Sequence, residues 1–333
     1  MKTLLSSCLL CPAIGLAAGE AICEEAAMEI RAGVAGAGSM GKNHARVYSL
    51  LPEVTLTAIF DQDGERAAEV AEEFGCEVAG SLGELAERCQ AVSVAVPTVA
   101  HLEVGKVLMD GGADILVEKP IAATGAEAAE LVAHAQEKGR VLQVGHIERF
   151  NPVLKQLEEK LTHPRFIESH RLSPFPNRSL DIGVVLDLMI HDLEIILHLV
   201  KSPVASMDAV GVPVLTKYED IANVRLRFEN GCVANVTASR ISPERMRKIR
   251  VFQEDCYLSL DYQGQEGQMY YKDATGIAQA EVEVEKDEPL KLQLQAFCDA
   301  VRERREPTVT GRQGAAALEV ATEITKLIEA QAG

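Results

Sequence analysis

The chain reads as an α/β protein with two unlike parts: a doubly wound parallel sheet, then a domain built on a large, mostly antiparallel open sheet. Three observations predict this. Residues 30–41, IRAGVAGAGSMG, pass from a β-branched and apolar run straight into a glycine-rich turn. Strand and helix patterns then alternate with short turns to residue 144. Beyond Asn151 the pattern changes to one long helix and several runs of β-type residues.

Gly36-Ala-Gly38-Ser-Met-Gly41 has the G-x-G-x-x-G spacing that a dinucleotide pyrophosphate requires. Gly36 permits the tight bend, Gly38 lets the backbone approach the phosphates, and Gly41 lets helix and strand pack closely, with Ser39 and Met40 opening the helix. A helix N-terminus there offers N–H groups and a positive dipole end to the anion. The next strand, 54–60 (VTLTAIF), runs into Asp61, where a ribose-binding carboxylate belongs. That carboxylate accepts from ribose hydroxyls and repels a 2′-phosphate, so NAD is expected over NADP, a preference tempered by nearby Arg66. A glycine turn and a surface aspartate in some other α/β unit would share the spacing; the two-strand context favours a Rossmann domain.

The remaining elements follow in order. Helix 64–74, a short strand near 76–79, helix 81–88, a buried-type strand 91–96, helix 99–109, strand 114–117, helix 125–138 and strand 140–144 complete the parallel sheet. Ligands of such sheets bind beyond the strand C-termini, which places Pro97, Thr98, Glu118 and Lys119 at the cofactor cleft. Pro120, after Lys119, fixes the local geometry and can take a cis bond. The second part has a helix over 183–200 and β runs at 221–228, 232–239, 248–252 and 257–260, with Asn230-Gly231 as a hairpin turn. The expected divisions are an extension (1–27), a dinucleotide-binding domain (28–147), a substrate and oligomerisation domain (148–311) and a C-terminal helix (312–333).

Composition narrows the function classes. A chain of 333 residues, 47% of them hydrophobic, can bury two cores. Thirty-three Lys and Arg against 50 Asp and Glu give a net charge of −17, which argues against nucleic acid or an anionic membrane as partner. The eight cysteines are scattered and read as reduced thiols rather than a disulfide framework. Cys8 and Cys11 form a C-x-x-C, but no second pair or nearby histidine completes a zinc site, and no metal is expected. Residues 1–27 superficially resemble an export signal, and are too short and polar for a membrane span. A start assigned too early, with translation beginning at Met28, is the favoured reading over a true signal or a simple extension. It suits an enzyme using soluble NAD in the cytoplasm.

In the helix GVVLDLMIHDLEIILHLV, Asp187, His191, Glu194 and His198 fall at offsets of zero, four, seven and eleven, on one face. Asp187 and His191 can point into one space. Spacing alone favours a plain solvent face, and a metal site from His191, Glu194 and His198 lacks a completing ligand.

GAGSMG followed by Asn43-His44, VPTVAH (96–101), EKP (118–120), DLMIH (187–191) and TGRQGAAALEVATEI (310–324) jointly resemble the glucose-fructose oxidoreductase/inositol dehydrogenase/MocA family. The similarity runs from Met28 almost to the C-terminus. It implies a Rossmann domain followed by an α/β domain whose open sheet serves dimer or tetramer assembly. It also implies His101 among the cofactor-binding residues and a catalytic set at Lys119, Asp187 and His191.

Such a set suits alcohol oxidation, because the hydroxyl proton must leave as the carbonyl forms. Histidine, with an ordinary pKa near neutrality, fits the base; a lysine cation can position and polarise the sugar oxygen while the aspartate orients both. The lysine and histidine roles are exchangeable, since a desolvated lysine is also a base. VGHIERFNP (144–152) and SLDIGVVLDLMIHDLEI (179–195) resemble the branch of the family that oxidises C3 of UDP-N-acetylglucosamine, whose ketone an aminotransferase converts to a 3-amino sugar, typically for lipid A. A nucleotide sugar carries a diphosphate that needs cations, for which Arg149, Arg178 and Arg171 are candidates, while His146 and Asn151 flank the domain junction. Alternatives are the corresponding uronate, inositol or a free hexose, and, in another class, a non-catalytic NAD and sugar sensor. Retention of all three catalytic positions speaks against the sensor.

Overall fold

The computed structural model describes residues 29–175, 182–274 and 276–332. The predicted extension 1–27 and Arg178 lie outside them.

Strands β1 (Ile30–Ala35), β2 (Val54–Phe60), β3 (Glu77–Val78), β4 (Ala91–Val94), β5 (Asp114–Glu118) and β6 (Leu142–Gly145) form one parallel sheet in the order 3-2-1-4-5-6. This is the Rossmann order, whose reversal between β1 and β4 opens a crevice at the strand C-termini. Helices α1 (Ser39–Tyr48), α2 (Gly64–Phe74), α3 (Leu82–Arg88), α4 (His101–Asp110) and α5 (Gly125–Lys138) make the crossovers. Their ends follow from local sequence. Asp63 and Ser81 cap α2 and α3, and Thr124 with Glu127 forms a reciprocal capping box on α5. Gly75 and Gly139, both left-handed, end α2 and α5.

Then come α6 (Pro152–Lys160), β7 (Phe166–Leu172), a widened π-helical turn (Val185–Met189) leading directly into α7 (Ile190–Val200), and strands β8 (Val204–Val212), β9 (Ile221–Phe228), β10 (Val233–Ser239), β11 (Met246–Phe252), β12 (Cys256–Asp261), β13 (Glu266–Asp273) and β14 (Gly276–Val282). These strands form a second sheet in the order 14-13-12-11-7-10-9-8. All its pairings are antiparallel except β7 with β10. Gly231, at φ +85°, turns β9 into β10 as the Asn-Gly signal predicts. The regular helix predicted over 183–200 is corrected in its first turns, where the backbone is π-helical.

One face of this sheet packs on α6 and α7 through Leu154, Leu193, Ile196, Val224, Val236 and Val251, all fully buried. The last two helices do not stay with it. In α8 (Pro289–Glu303), Leu294 and Phe297 join the core of the parallel sheet beside Val34 and Tyr48. In α9 (Gly311–Ala332), Leu318 packs in the first domain, and Ala317, Ala321 and Ile324 pack in the second. The structural cysteines Cys76, Cys89, Cys232, Cys256 and Cys298 are free thiols.

Candidate functional site

The three glycines of the turn meet different surroundings. A Cβ on Gly36, whose φ is +99°, would lie 2.6 Å from the Ala95 carbonyl oxygen, and one on Gly41 would lie 1.7 Å from the Gly36 oxygen. A Cβ on Gly38 would meet no protein atom within 4 Å. Two glycines therefore close the turn against its own fold, and the third leaves backbone open to a ligand. Asp61 leans over this turn: Oδ2 accepts from the Ala37 N–H at 2.6 Å and Oδ1 from the Asp63 N–H at 2.9 Å. Arg66 donates to Asp63 at 2.8 Å and lies 3.8 Å from Asp61, so its charge is turned toward carboxylates. Gly36, Gly38, Ser39, Met40, Asp61 and Pro97 line a cleft of about 840 Å³. Val99, 79% exposed, completes one wall with Leu82, an apolar contribution the sequence reading did not name. This donor set fits a dinucleotide: open backbone at a helix N-terminus for the pyrophosphate, and a carboxylate one strand away for ribose hydroxyls.

Thr98 begins a short 3₁₀ turn directly after Pro97. His101 is buried, with Nδ1 and Nε2 each 3.0 Å from a carbonyl, those of Pro120 and Val96. Burial lowers its pKa and the two carbonyls oppose that shift; a neutral ring donates to one of them while packing between the cleft wall and the loop carrying Lys119. Glu118 ends β5 with Oε1 3.1 Å from Nε2 of the buried His44. A Cβ on Gly145 would meet that carboxylate, so β6 must carry glycine there for Glu118 to lie across it. The Lys119–Pro120 bond is cis.

Lys119 Nζ reaches the π-helical turn, donating to the Asp187 carbonyl oxygen at 2.6 Å and lying 3.5 Å from its Oδ1. The turn is fixed from the other side. Glu219 accepts from the Val185 N–H at 3.3 Å and occupies the space a Cβ on Gly183 would need. His191 follows one turn later, edge-on to His146 with ring centroids 6.1 Å apart. Nδ1 of His191 and both ring nitrogens of His146 are buried and unpaired by protein. Lys119, His146 and the Asp187–His191 pair, from three separated segments, thus meet at one place.

Desolvation, reinforced by Lys119, pushes the His146 pKa down to about 3 and the His191 pKa well below its ordinary value. Desolvation also lowers the Lys119 pKa, opposed by Asp187 and Glu118. Both imidazoles are therefore neutral at neutral pH. An unfolded histidine takes up a proton near pH 6.5 and folded His146 does not, so stability falls as pH drops from about 6.5 toward 3. The slope approaches ~1.4 kcal/mol per pH unit per such group. Denaturant titrations between pH 7 and 5 should show a flatter dependence for His146→Gln; an unchanged slope would refute the assignment.

Several predicted residues turn inward instead. Arg149 donates to Glu194 at 2.8 Å with both side chains buried, and burial pushes Glu194 up to about 7. Arg171 donates to Asp192 at 2.6 Å and to Glu148 at 2.9 Å. Asn151 caps α6 and donates to the Tyr262 carbonyl at 2.9 Å. His198 pairs with Glu158 at 2.9 Å, so the stripe His191, Glu194, His198 is split among three surroundings. Among the described residues no group of His, Cys, Asp and Glu is placed to hold a metal. Removing Arg171 would take the paired cation from buried Asp192 and leave Glu148 with Arg247, and Arg171→Met is expected to cost about 3–5 kcal/mol in urea denaturation.

One cation near this cluster was missed by the sequence reading. Arg247 on β11 lies opposite Arg171 in the strand register and 3.3 Å from Glu148, yet its side chain is 41% exposed. Desolvation and Arg171 lower its pKa, and its charge bears on His191. Its only signal in sequence was an arginine entering a β run.

Known proteins share these features. The model of an oxidoreductase family with an NAD-binding Rossmann fold matches residues 30–146, and that of the GFO/IDH/MocA C-terminal domain matches 158–259. The UDP-N-acetylglucosamine 3-dehydrogenase of Acidithiobacillus ferrooxidans is 36% identical over 310 residues, 91% of this chain and 98% of the relative. Its solved structure superposes with a TM-score of 0.86 over 91% of this chain and 98% of that one. The scyllo-inositol 2-dehydrogenase of Bacillus subtilis is 26% identical over 65% of this chain and 68% of its own. A levoglucosan dehydrogenase in complex with NADH, 19% identical, shares the fold with a TM-score of 0.82 over 90% of this chain and 97% of its own. The chain belongs to the glucose-fructose oxidoreductase/inositol dehydrogenase/MocA (GFO/IDH/MocA) family of oxidoreductases with an NAD-binding Rossmann fold.

Proposed function

We propose that this protein oxidises a secondary hydroxyl of a nucleotide sugar to a ketone with NAD, and that the hydroxyl is C3 of UDP-N-acetylglucosamine. The observation that carries the substrate is the 36% identity to a UDP-N-acetylglucosamine 3-dehydrogenase across 91% of the chain; Lys119 and His146 lie in the first matched domain and Asp187 and His191 in the second. Bound NAD supplies the two-electron acceptor. Gly36, Gly38, Ser39, Met40 and Gly41 would hold its pyrophosphate and Asp61 its ribose, with Pro97, Thr98, Glu118 and Lys119 along its path and His101 bracing them.

His191 takes the hydroxyl proton: it is neutral, and its buried Nδ1 has no partner among the described residues. Lys119, anchored on Asp187, holds its ammonium toward the same oxygen and stabilises charge developing there. His146 offers a neutral ring nitrogen to a sugar hydroxyl. Arg247 rather than Arg149 or Arg171 meets the diphosphate, because its guanidinium is the one among these three that remains half exposed. Arg178 is a further candidate.

The outer face of the second sheet, with Val210 52% and Ile277 90% exposed, supports a homodimer or homotetramer, which light scattering would measure. Division near 147 and 311 into cofactor and substrate parts, a cytoplasmic location, and a downstream aminotransferase making a 3-amino sugar for lipid A complete the reading. The test is incubation with NAD and a panel of UDP-N-acetylglucosamine, its uronate, inositol and hexoses, following reduced nicotinamide and trapping the ketone. Turnover of another sugar alone would overturn the substrate, and NAD binding with no turnover would favour a sensor.

A further inference from the structure

We infer that the protein carries a second anion site, for a small phosphate-bearing ion, at the end of the parallel sheet opposite the cofactor cleft. A cavity of about 260 Å³ is walled by Arg140 before β6, Arg304 and Arg305 after α8, and Arg312 in the first turn of α9. Four guanidiniums and one carboxylate, Glu306, share this wall in a chain whose net charge is −17.

Their internal pairings differ. Arg304 is committed to Asp114 at 2.5 Å and to the Gly139 carbonyl at 2.7 Å, and Arg305 to Glu303. Arg312 pairs with no carboxylate among the described residues, and the Gln136 amide, once turned to present its oxygen, accepts from it at 2.7 and 3.1 Å. Arg140 Nε is buried with no acceptor at all. Two guanidiniums that pair with no carboxylate among the described residues therefore line one concavity, and an anion there would supply the missing opposite charge. The N-terminus of α9 adds its dipole: Thr310 and Gln313 cap each other there, and the first turn holds no acidic residue. The cavity, about 260 Å³, is large enough for one or two phosphoryl groups.

The site is separate from the proposed catalysis. Asp114 opens β5 and Val141 precedes β6, whereas Gly38, Asp61 and Lys119 lie at the strand C-termini. Inorganic pyrophosphate titrated calorimetrically into the full chain saturated with NAD is the test, since NAD occupies the competing phosphate cleft. One binding event per chain is expected, weakened about tenfold or more in Arg140→Gln and in Arg312→Gln, each with an unaltered thermal melt. Arg312 is exposed, so that variant keeps the test valid if Arg140→Gln fails to fold. No binding under NAD saturation, or equal affinity in the wild type and Arg312→Gln, would overturn the site.

Discussion

Lys119→Ala is expected to lower kcat about a thousandfold with UDP-N-acetylglucosamine while leaving NAD affinity within a few-fold of wild type. The loss is large because, among the described residues, Nζ is the one cation anchored to Asp187 at the proposed catalytic cluster, so its removal takes charge stabilisation and orientation together. His191→Ala should cost a similar factor, and the double variant little more, since the two act on one oxygen. The pH profile separates the roles. In the wild type the acid limb of kcat/KM lies below the ordinary histidine value, because desolvation and the Lys119 charge both disfavour the imidazolium. Removing that charge raises the His191 pKa, so the residual activity of Lys119→Ala should have its acid limb at higher pH. If Lys119 were the base, the limb would vanish with it rather than move.

The second large effect contrasts two glycines three residues apart. Gly41→Ala places a Cβ 1.7 Å from the Gly36 carbonyl, a backbone atom that cannot move without opening the turn. The expected result is a loss of several kcal/mol in urea denaturation together with NAD binding, at the upper end of overpacking costs of ~1–3 kcal/mol. Gly38→Ala meets no protein atom and should melt as the wild type does. Its Cβ instead enters the space left for the pyrophosphate, so NAD affinity should fall tenfold or more, read by fluorescence titration. A Gly38→Ala protein binding NAD normally would place the phosphates elsewhere.

Much of this was legible in sequence. In the parallel sheet, β1, β2, β4 and β5 are largely apolar runs closed by turn signals, and helices 64–74 and 125–138 coincide with α2 and α5. The fingerprint and the Lys-Asp-His positions could be named because they occur as contiguous motifs. The rest was hidden where partners are remote in sequence. β7 escaped the period-two pattern because its inward positions include Ser169 and Arg171, tolerable only opposite Asp192 and Glu148. For the same reason Arg149 and Arg171 read as free cations: the carboxylates that neutralise them sit 45 and about 20 residues away. β13 and β14 carry mixed polar residues and lie at the sheet's edge, where burial imposes no strict alternation. The π-helical turn could not be read at all, since its partners are a lysine just after β5 and a glutamate before β9.

The return of α8 to the first sheet reaches beyond the folded state. Val34, Tyr48 and Leu116 belong to the cofactor half, yet the surface that covers them includes Leu294 and Phe297 from the far end of the chain. During synthesis, a nascent cofactor half emerging from the ribosome must wait for nearly the entire polypeptide before that flank is shielded. Pairings so distant in sequence slow folding and prolong exposure of sticky surface. A nucleotide-binding half expressed alone should aggregate, and its remedy is not a longer linker but a supplied copy of the α8 segment.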